Sequence, residues 1–345
     1  MAAVISQTPN TFHGLATIGK IFYILDVVMF VTFTIAMAMR FVLFPRKVLQ
    51  SLYHPVEGLF FGAYFVSVGL ILNGAQAYGV PNCGPWLVTA LRVCFWMYCG
   101  TVLLVAIFQY YVLFQNARLD VANAVPAWIF PIYPLLVVGS LASVMLPSQP
   151  RQQAYNMWIG AVMLQGLAWT VALLQYAIYM QRLMTSQLPP PPTRPGMYVS
   201  VGPAGYTAAA LIGLANAAPT VLPANAFNVN PNFGDGQVVK DLGIISGTFI
   251  LLFSFWFFCI STAAVCAGIK KMTYTLNWWA FVFPNAGLAL AAIQLGSVYS
   301  SPGINGICSA LTVMLVILWF IAAIFCVRAV IRKEITYPGK DEDAS

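Results

Sequence analysis

"WWAFVFPNAG", Trp278 to Gly287, lies inside a long apolar run, and its reading decides how the chain folds. A helix crossing a bilayer has no water to satisfy its backbone, so proline, asparagine and glycine are costly interruptions. They are tolerated where the segment is buried in protein or lines a cavity. The surrounding composition makes a bilayer the right setting. The chain is 60% hydrophobic and 7% charged, against roughly 25% charged residues in an average soluble domain. That is too little charge to cover a soluble protein of 345 residues. The chain reads as an integral membrane protein.

Composition also closes off several functions. His13 and His54 are the only histidines, which excludes HExxH and histidine-box metal sites. The seven cysteines contain no CxxC pair. Cys83 and Cys308 both fall near the expected outer side and read either as a disulfide pair or, the favoured reading, as two free thiols. Neither a Walker loop nor a GxGxxG turn is present, so no nucleotide cofactor is implied. The net charge of +7 is spread over loops rather than gathered into a nucleic-acid patch. The opening "MAAVISQTPNTFHGLATIGK" lacks the basic and apolar blocks of a signal peptide. It reads as an extracellular loop over residues 1–20.

A hydrocarbon core of ~30 Å needs about 20 apolar residues per helix. Nine segments qualify: 21–43, 56–76, 86–114, 126–146, 155–181, 198–215, 242–268, 277–299 and 305–330. They alternate between two kinds. Long greasy segments resemble "LLFSFWFFCISTAAVC"; shorter, softer ones carry Pro, Gly and small polar residues. The soft ones are "HPVEGLFFGAYFVSVGLILNG", "VPAWIFPIYPLLVVGSLAS", "RPGMYVSVGPAGYTAAALIG" and "WWAFVFPNAGLALAAIQLG". Each opens with aromatics, meets Pro or Gly several residues in, and continues in small residues. The recurrence is an internal repeat of helical hairpins, a soft helix followed by a greasy one. The expected fold is an all-α polytopic membrane protein with the soft helices around a central pore. A transmembrane domain over 21–332 is followed by a disordered cytosolic tail at 333–345. Segment 21–43 is a greasy member without a soft partner ahead of it, so a complete array would hold ten spans.

Alternating crossings place Arg40, Arg46, Lys47, Arg118, Arg182, Arg194, Lys270, Lys271, Arg328, Arg332, Lys333 and Lys340 on one side. Lys20, Arg151 and Lys240 fall on the other, and Arg92 lies within a span. The excess marks the first side, and with it the C-terminus, as cytosolic. The run "LPPPPTRP" then reads as a stiff cytosolic linker. All four soft helices run outward from the cytosol, with their positive dipole ends facing the same compartment. Pro131, Pro134, Pro203, Pro284 and Gly287 read as kinks in helices that line a path.

The blocks "FHGLATIGKIFYILDVVMFVTF", "SLYHPVEGLFFGAYFVS", "LRVCFWMYC", "FQYYVLF", "PAWIFPIYPLLVVG", "RPGMYVSVGPAGYTA" and "WWAFVFPNAG" resemble the fungal malic acid transport proteins. Those belong to the tellurite-resistance/dicarboxylate transporter family, with the plant slow anion channels and the fungal sulfite efflux pumps. The resemblance runs from about Thr11 to Arg332. It implies ten helices as five hairpins, a pore lined by the inner helices, a homotrimer and a plasma-membrane location. It also implies a soft first helix with an "MGTG"-like motif, which this sequence does not show. Malate or another C4-dicarboxylate is the implied substrate, with protons as the implied coupling ion.

The resemblance aligns Phe283 with the phenylalanine that occludes the pore in the anion-channel relatives. Phe281 is the neighbouring candidate, turned about 200° around a helix from it. Ser140, Ser143, Ser200, Thr207, Asn285 and Gln294 are the polar residues of the soft helices. They read either as pore lining that replaces water around an anion or as interhelical hydrogen bonds. His54 and Glu57 sit at a pore mouth, either as a titrating pair or with the carboxylate complementing the helix dipole. Asp26 and Arg92 lie in greasy segments at equal depth with opposite sign, the pattern of a structural ion pair; an Arg92 facing the lumen would be an anion ligand. The expected function is transport of small organic anions, with sulfite or organic-acid efflux as the alternative. An intramembrane enzyme does not fit greasy spans so poor in polar side chains.

Overall fold

The computed structural model describes residues 1–54, 57–116, 119–227 and 234–335. Every regular element among them is helical. The greasy segments are long single α-helices: α2 (Leu15–Leu43), α5 (Pro85–Asn116), α7 (Arg151–Thr185), α9 (Asp235–Gly268) and α11 (Pro302–Ile331). The soft segments form α4 (Glu57–Gly74), α6 (Tyr133–Met145), α8 (Val201–Val221) and α10 (Phe283–Tyr299). Two short helices complete the set, α1 (Ala2–Gln7) and α3 (Pro45–Tyr53). Eight helical stretches are long and apolar enough to cross a membrane, and Tyr133–Ser148 is a shorter apolar one. Together they match the nine expected segments.

The two kinds of helix occupy different places. In the apolar stretch of Pro191–Val221 94% of residues are buried, and 78% in Leu276–Tyr299, against 6% in α2 and 17% in α11. All but two of the residues of α6 are buried. The soft helices form a ring: α4 packs on α6, α6 on α8, α8 on α10, and α1 lies against both α10 and α4. Each greasy helix packs on the soft helix just before it, α5 on α4, α7 on α6, α9 on α8 and α11 on α10. The outer helices present side chains such as Phe33, Phe249 and Ile324 on the surface, as a lipid-facing sheath does.

The N-terminus departs from expectation. Residues 2–7, read as loop, are a helix whose Ala2, Ala3, Val4 and Ile5 are buried. This piece stands directly before greasy α2 and packs on it, the position of a soft partner. The Gln294 amide donates to Gln7 Oε1 at 3.0 Å, tying α10 to α1. Four apolar residues in a row with no polar break are indistinguishable from loop in so short a segment. Only their burial between two ring helices makes them structural.

The prolines do not bend continuous helices; they mark joints. Pro134 and Pro284 each occupy the first turn of an α-helix, where a missing N–H costs nothing. Pro203 is the third residue of α8, and Pro131 lies in the turn ahead of α6. Tighter 3₁₀ segments precede the α-helices: Pro126–Ile129 before α6, Pro191–Ser200 before α8 and Leu276–Phe281 before α10. The presumed linker "LPPPPTRP" is largely the start of one of them. Arg194 fastens it by donating from Nη1 to the Ala264 carbonyl at 2.8 Å and from Nε to Pro189 at 3.0 Å. Gly287 is no kink either. It sits within α10, and a Cβ there would meet the Tyr206 backbone nitrogen at 2.9 Å. Its role is close approach of α8 and α10. Of the expected tail, residues 336–345 lie outside the described residues.

A joint releases backbone carbonyls that lipid cannot solvate, and side chains take them up. The Tyr98 hydroxyl donates to the Pro134 carbonyl at 3.0 Å, and Tyr110 to Trp128 at 3.1 Å. Tyr176 donates to the Ser200 carbonyl and accepts the Ala204 N–H at 3.2 Å. Tyr206 reaches the Phe283 carbonyl at 3.3 Å, and the Asn285 amide donates to Phe281 at 2.9 Å. The asparagine of "WWAFVFPNAG" thus caps the break that its proline imposes.

Tyr176→Phe should lower stability by about 1–3 kcal/mol, because two buried backbone groups lose their partner; thermal melting of purified protein reads this. Gly205→Ala should also destabilise, by roughly 1–3 kcal/mol, since its Cβ would meet Leu288 N at 2.5 Å. Gly166→Ala, with open space at that position, should be neutral or stabilising by up to about 1 kcal/mol.

Candidate functional site: an aromatic constriction inside the ring

Aromatic side chains from the soft elements meet inside the ring. Phe60 of α4, itself 48% exposed and so at the edge of the cluster, lies 5.1 Å from Phe130, ring centre to ring centre. Phe130 stacks on Phe283 at 6.1 Å, and Tyr133 lies 5.0 Å from Phe283 and 6.0 Å from Tyr206. The segment carrying Phe130 and Tyr133 is separated from α10 by α8 around the ring. Rings from non-neighbouring elements meet by reaching into the interior. Tyr133 and Tyr206 are fully buried, and Phe283 is half-buried. Glycines make the fit possible. A Cβ on Gly202 would overlap the Tyr133 hydroxyl, and one on Gly62 would overlap the Phe130 carbonyl.

Phe281 points elsewhere. It pairs with Tyr198 at 5.3 Å and Trp278 at 5.8 Å, and these in turn contact Phe258 of α9 and Phe325 of α11. It therefore packs toward the outer sheath. The turn between the two phenylalanines separates an inner ring from an outer one.

The joints set the electrostatics of the constriction. Tyr133 and Phe283 are the first residues of α6 and α10, and Gly202, against Tyr133, is the second residue of α8. Three α-helix N-termini therefore converge on the aromatic cluster. Each carries only a fraction of the roughly +0.5 e of a free N-terminus, because the 3₁₀ segments ahead already accept N–H groups such as those of Tyr133, Leu135, Val201 and Val282. Unbroken helices would have left those charges at the membrane surface. Broken ones bring part of that charge to the aromatic cluster, with no formally charged side chain among the rings.

The polar residues expected to line a path are mostly engaged. The hydroxyls of Ser140, Ser143 and Ser200 donate to the carbonyls of Val137, Ser140 and Met197 at 3.0, 2.8 and 2.7 Å. Their protons are spent on the backbone. Thr207 accepts from the Gln165 amide at 3.0 Å, while Gln165 Oε1 accepts the Gly139 N–H at 3.2 Å. This glutamine of α7 clamps α6 to α8, the interhelical reading of Thr207. Gln294 is held by Gln7, and Asn285 caps its own joint. Two buried polar atoms are left over at the constriction, the Tyr133 hydroxyl, a donor, and Asn285 Oδ1, an acceptor. Sequence reasoning passed over Phe60, Phe130, Tyr133 and Tyr206. Their signal was the aromatic opening shared by the soft repeats.

The remaining expected residues lie apart from the cluster. Between His54 and Glu57 the Glu57 backbone N–H donates to His54 Nδ1 at 3.4 Å. Asp26 and Arg92 do not form the expected ion pair. The charge acting on Asp26 is the Met1 amino group, because α1 lies against α2 and brings that group to it. Equal depth along two helices says nothing about whether the helices face each other. Cys83 and Cys308 are both free thiols.

Comparisons with known proteins converge on one family. The profile of SLAC1, the voltage-dependent anion channel, matches residues 1–327. The malic acid transport protein of Schizosaccharomyces pombe is 32% identical over 99% of this chain and 78% of its own length. A sulfite efflux pump of Arthroderma benhamiae is 24% identical over 97% and 88%. The S-type anion channel SLAH3 of Arabidopsis thaliana is 26% identical over 85% of this chain and 40% of its own length. With a ring of soft helices, a sheath of greasy ones and a profile match over nearly its whole length, the chain belongs to the SLAC1 anion channel family.

Proposed function

We propose that this protein moves small organic anions across a membrane through the ring, C4-dicarboxylates such as malate before others, with Phe283 as the gate. One observation carries the reading: three helix N-termini converge on an aromatic constriction that holds no formal charge. Partial positive charge attracts an anion without binding it as firmly as a fixed arginine, so the ion can leave. The aromatic rings supply the barrier, because an anion entering the constriction sheds water. The Tyr133 hydroxyl is the donor placed to replace part of that hydration. The malate preference draws on the printed name of the Schizosaccharomyces pombe relative. Proton coupling, a homotrimer, a plasma-membrane location and a cytosolic C-terminus belong to the same proposal. The positive-inside asymmetry of Arg and Lys supports the last of these.

Sulfite efflux is the second reading, favoured by the pump relatives that align over 97% of the chain. The two separate in one assay. Cells expressing the protein should take up labelled malate faster than control cells, with sulfite tolerance unchanged. Raised sulfite tolerance without malate uptake would establish the second reading. Membrane-localised protein that changes neither would remove both.

Phe283→Ala should raise anion current severalfold in patch-clamp recordings, because the ring that closes the interior is gone. Phe281→Ala, on the outer side of the same turn, should leave the current near wild type. Equal effects of the two substitutions would remove Phe283 from the gate.

A further inference from the structure

The short helix α3 lies between α2 and α4 and packs on α2, α4 and α5. At 100° per residue its Arg46, Lys47, Gln50 and Ser51 share one face, and Val48, Leu52 and Tyr53 share the other. Cations gather on the polar face. Arg40, in the last turn of α2, donates from Nη2 to the Ser51 hydroxyl at 3.1 Å. Lys47 stands one helical turn before Ser51, and its Nζ lies 5.5 Å from the centre of the Phe44 ring. The Phe44 N–H in turn donates to the Arg40 carbonyl at 2.9 Å. These contacts close a circuit, so Arg40 and Lys47 are neighbours both through Ser51 and through Phe44. Arg40, Arg46 and Lys47 are all exposed, and among the described residues no carboxylate pairs with any of them. Val42, Leu43 and Phe44, which adjoin them, are exposed apolar side chains.

Apolar side chains are costly in water and cations are costly in hydrocarbon, and the boundary between the two suits both. We propose that Arg40, Arg46, Lys47 and Ser51 form a binding site for the headgroup of an anionic phospholipid, with Val42, Leu43 and Phe44 against its acyl chains. The positive cluster complements the negative phosphate. The leaflet it meets, cytosolic in the proposed topology, is the one rich in anionic lipids. A free phosphate would satisfy the cations and leave the apolar residues uncovered, whereas a lipid covers both. The bound lipid joins the end of α2 to α3 and, because α3 packs on α4, to the first of the longer soft helices. The site stands independently of which anion the ring moves.

The test is thermal melting of the purified full chain in neutral detergent, titrated with dioctanoyl phosphatidylserine or with dioctanoyl phosphatidylcholine. Phosphatidylserine should raise the melting temperature by several degrees and saturate, and phosphatidylcholine should not. The double variant Arg40→Gln/Lys47→Gln should need about thirtyfold more phosphatidylserine for the same rise, about fivefold for each basic side chain. Lys270→Gln/Lys271→Gln removes the same charge just beyond α9 and should leave the midpoint unchanged. An equal response of the wild type to both lipids, or an equal shift in the two double variants, would overturn the assignment. Should Arg40→Gln/Lys47→Gln not fold, an unchanged midpoint in Lys47→Gln alone does the same. Inorganic phosphate should not reproduce the rise at the concentrations where phosphatidylserine acts; a rise of equal size would mark a free-anion site and refute the lipid.

Discussion

The structure depends on a backbone constraint. A helix broken inside a bilayer exposes carbonyl groups that neither water nor lipid can satisfy, and each joint here is closed by a side chain. Tyr98, Tyr110, Tyr176 and Tyr206 donate hydroxyl protons to carbonyls at or beside the three joints, and Asn285 donates its amide at the third. All four tyrosines sit next to their joint only in the folded state, Tyr98 and Tyr110 on α5, Tyr176 on α7 and Tyr206 on α8. The broken ring and its sheath are therefore one system: the outer helices exclude lipid and also make the inner breaks affordable.

Breaking the helices has an electrostatic consequence. The positive ends of α6, α8 and α10 are carried from the mouth to the interior, where low dielectric magnifies them. The same joints deliver Tyr133 and Phe283, so attraction and obstruction arise at one place from one local feature. Fixed charge is kept away from it: Arg194 is occupied in fastening a 3₁₀ segment, and Arg182 stands to the side on α7. An interior built of dipoles and rings suits passage of an anion better than retention, since a dipole's hold falls off with distance faster than that of a full charge.

Part of this was legible beforehand. The alternation of soft and greasy segments marked inner and outer helices, because small residues and prolines are useless against lipid and useful where backbones approach. Phe283 was legible as a gate candidate through family resemblance, yet Phe281 stood beside it with the same chemistry. The polar lining was misjudged for a related reason. Ser140, Ser143 and Ser200 have the composition of a lining, but each hydroxyl is within reach of a carbonyl in its own turn, and that local bond uses its proton. Asp26 and Arg92 matched in depth and sign, whereas pairing depends on the rotation of each helix about its axis.

The sequence by itself determined the membrane setting, the number of apolar segments, their two kinds and the repeat that orders them. These follow from composition and period, which act residue by residue along the chain. The tertiary structure decided what depends on direction across the chain. It placed Ala2–Gln7 in the ring, turned Phe283 inward and Phe281 outward, and brought a tyrosine to a carbonyl at each of the three joints. Hydrophobicity selects which helices are covered, but the facing of a side chain is set by contacts between segments remote in sequence, and a linear pattern carries no record of those.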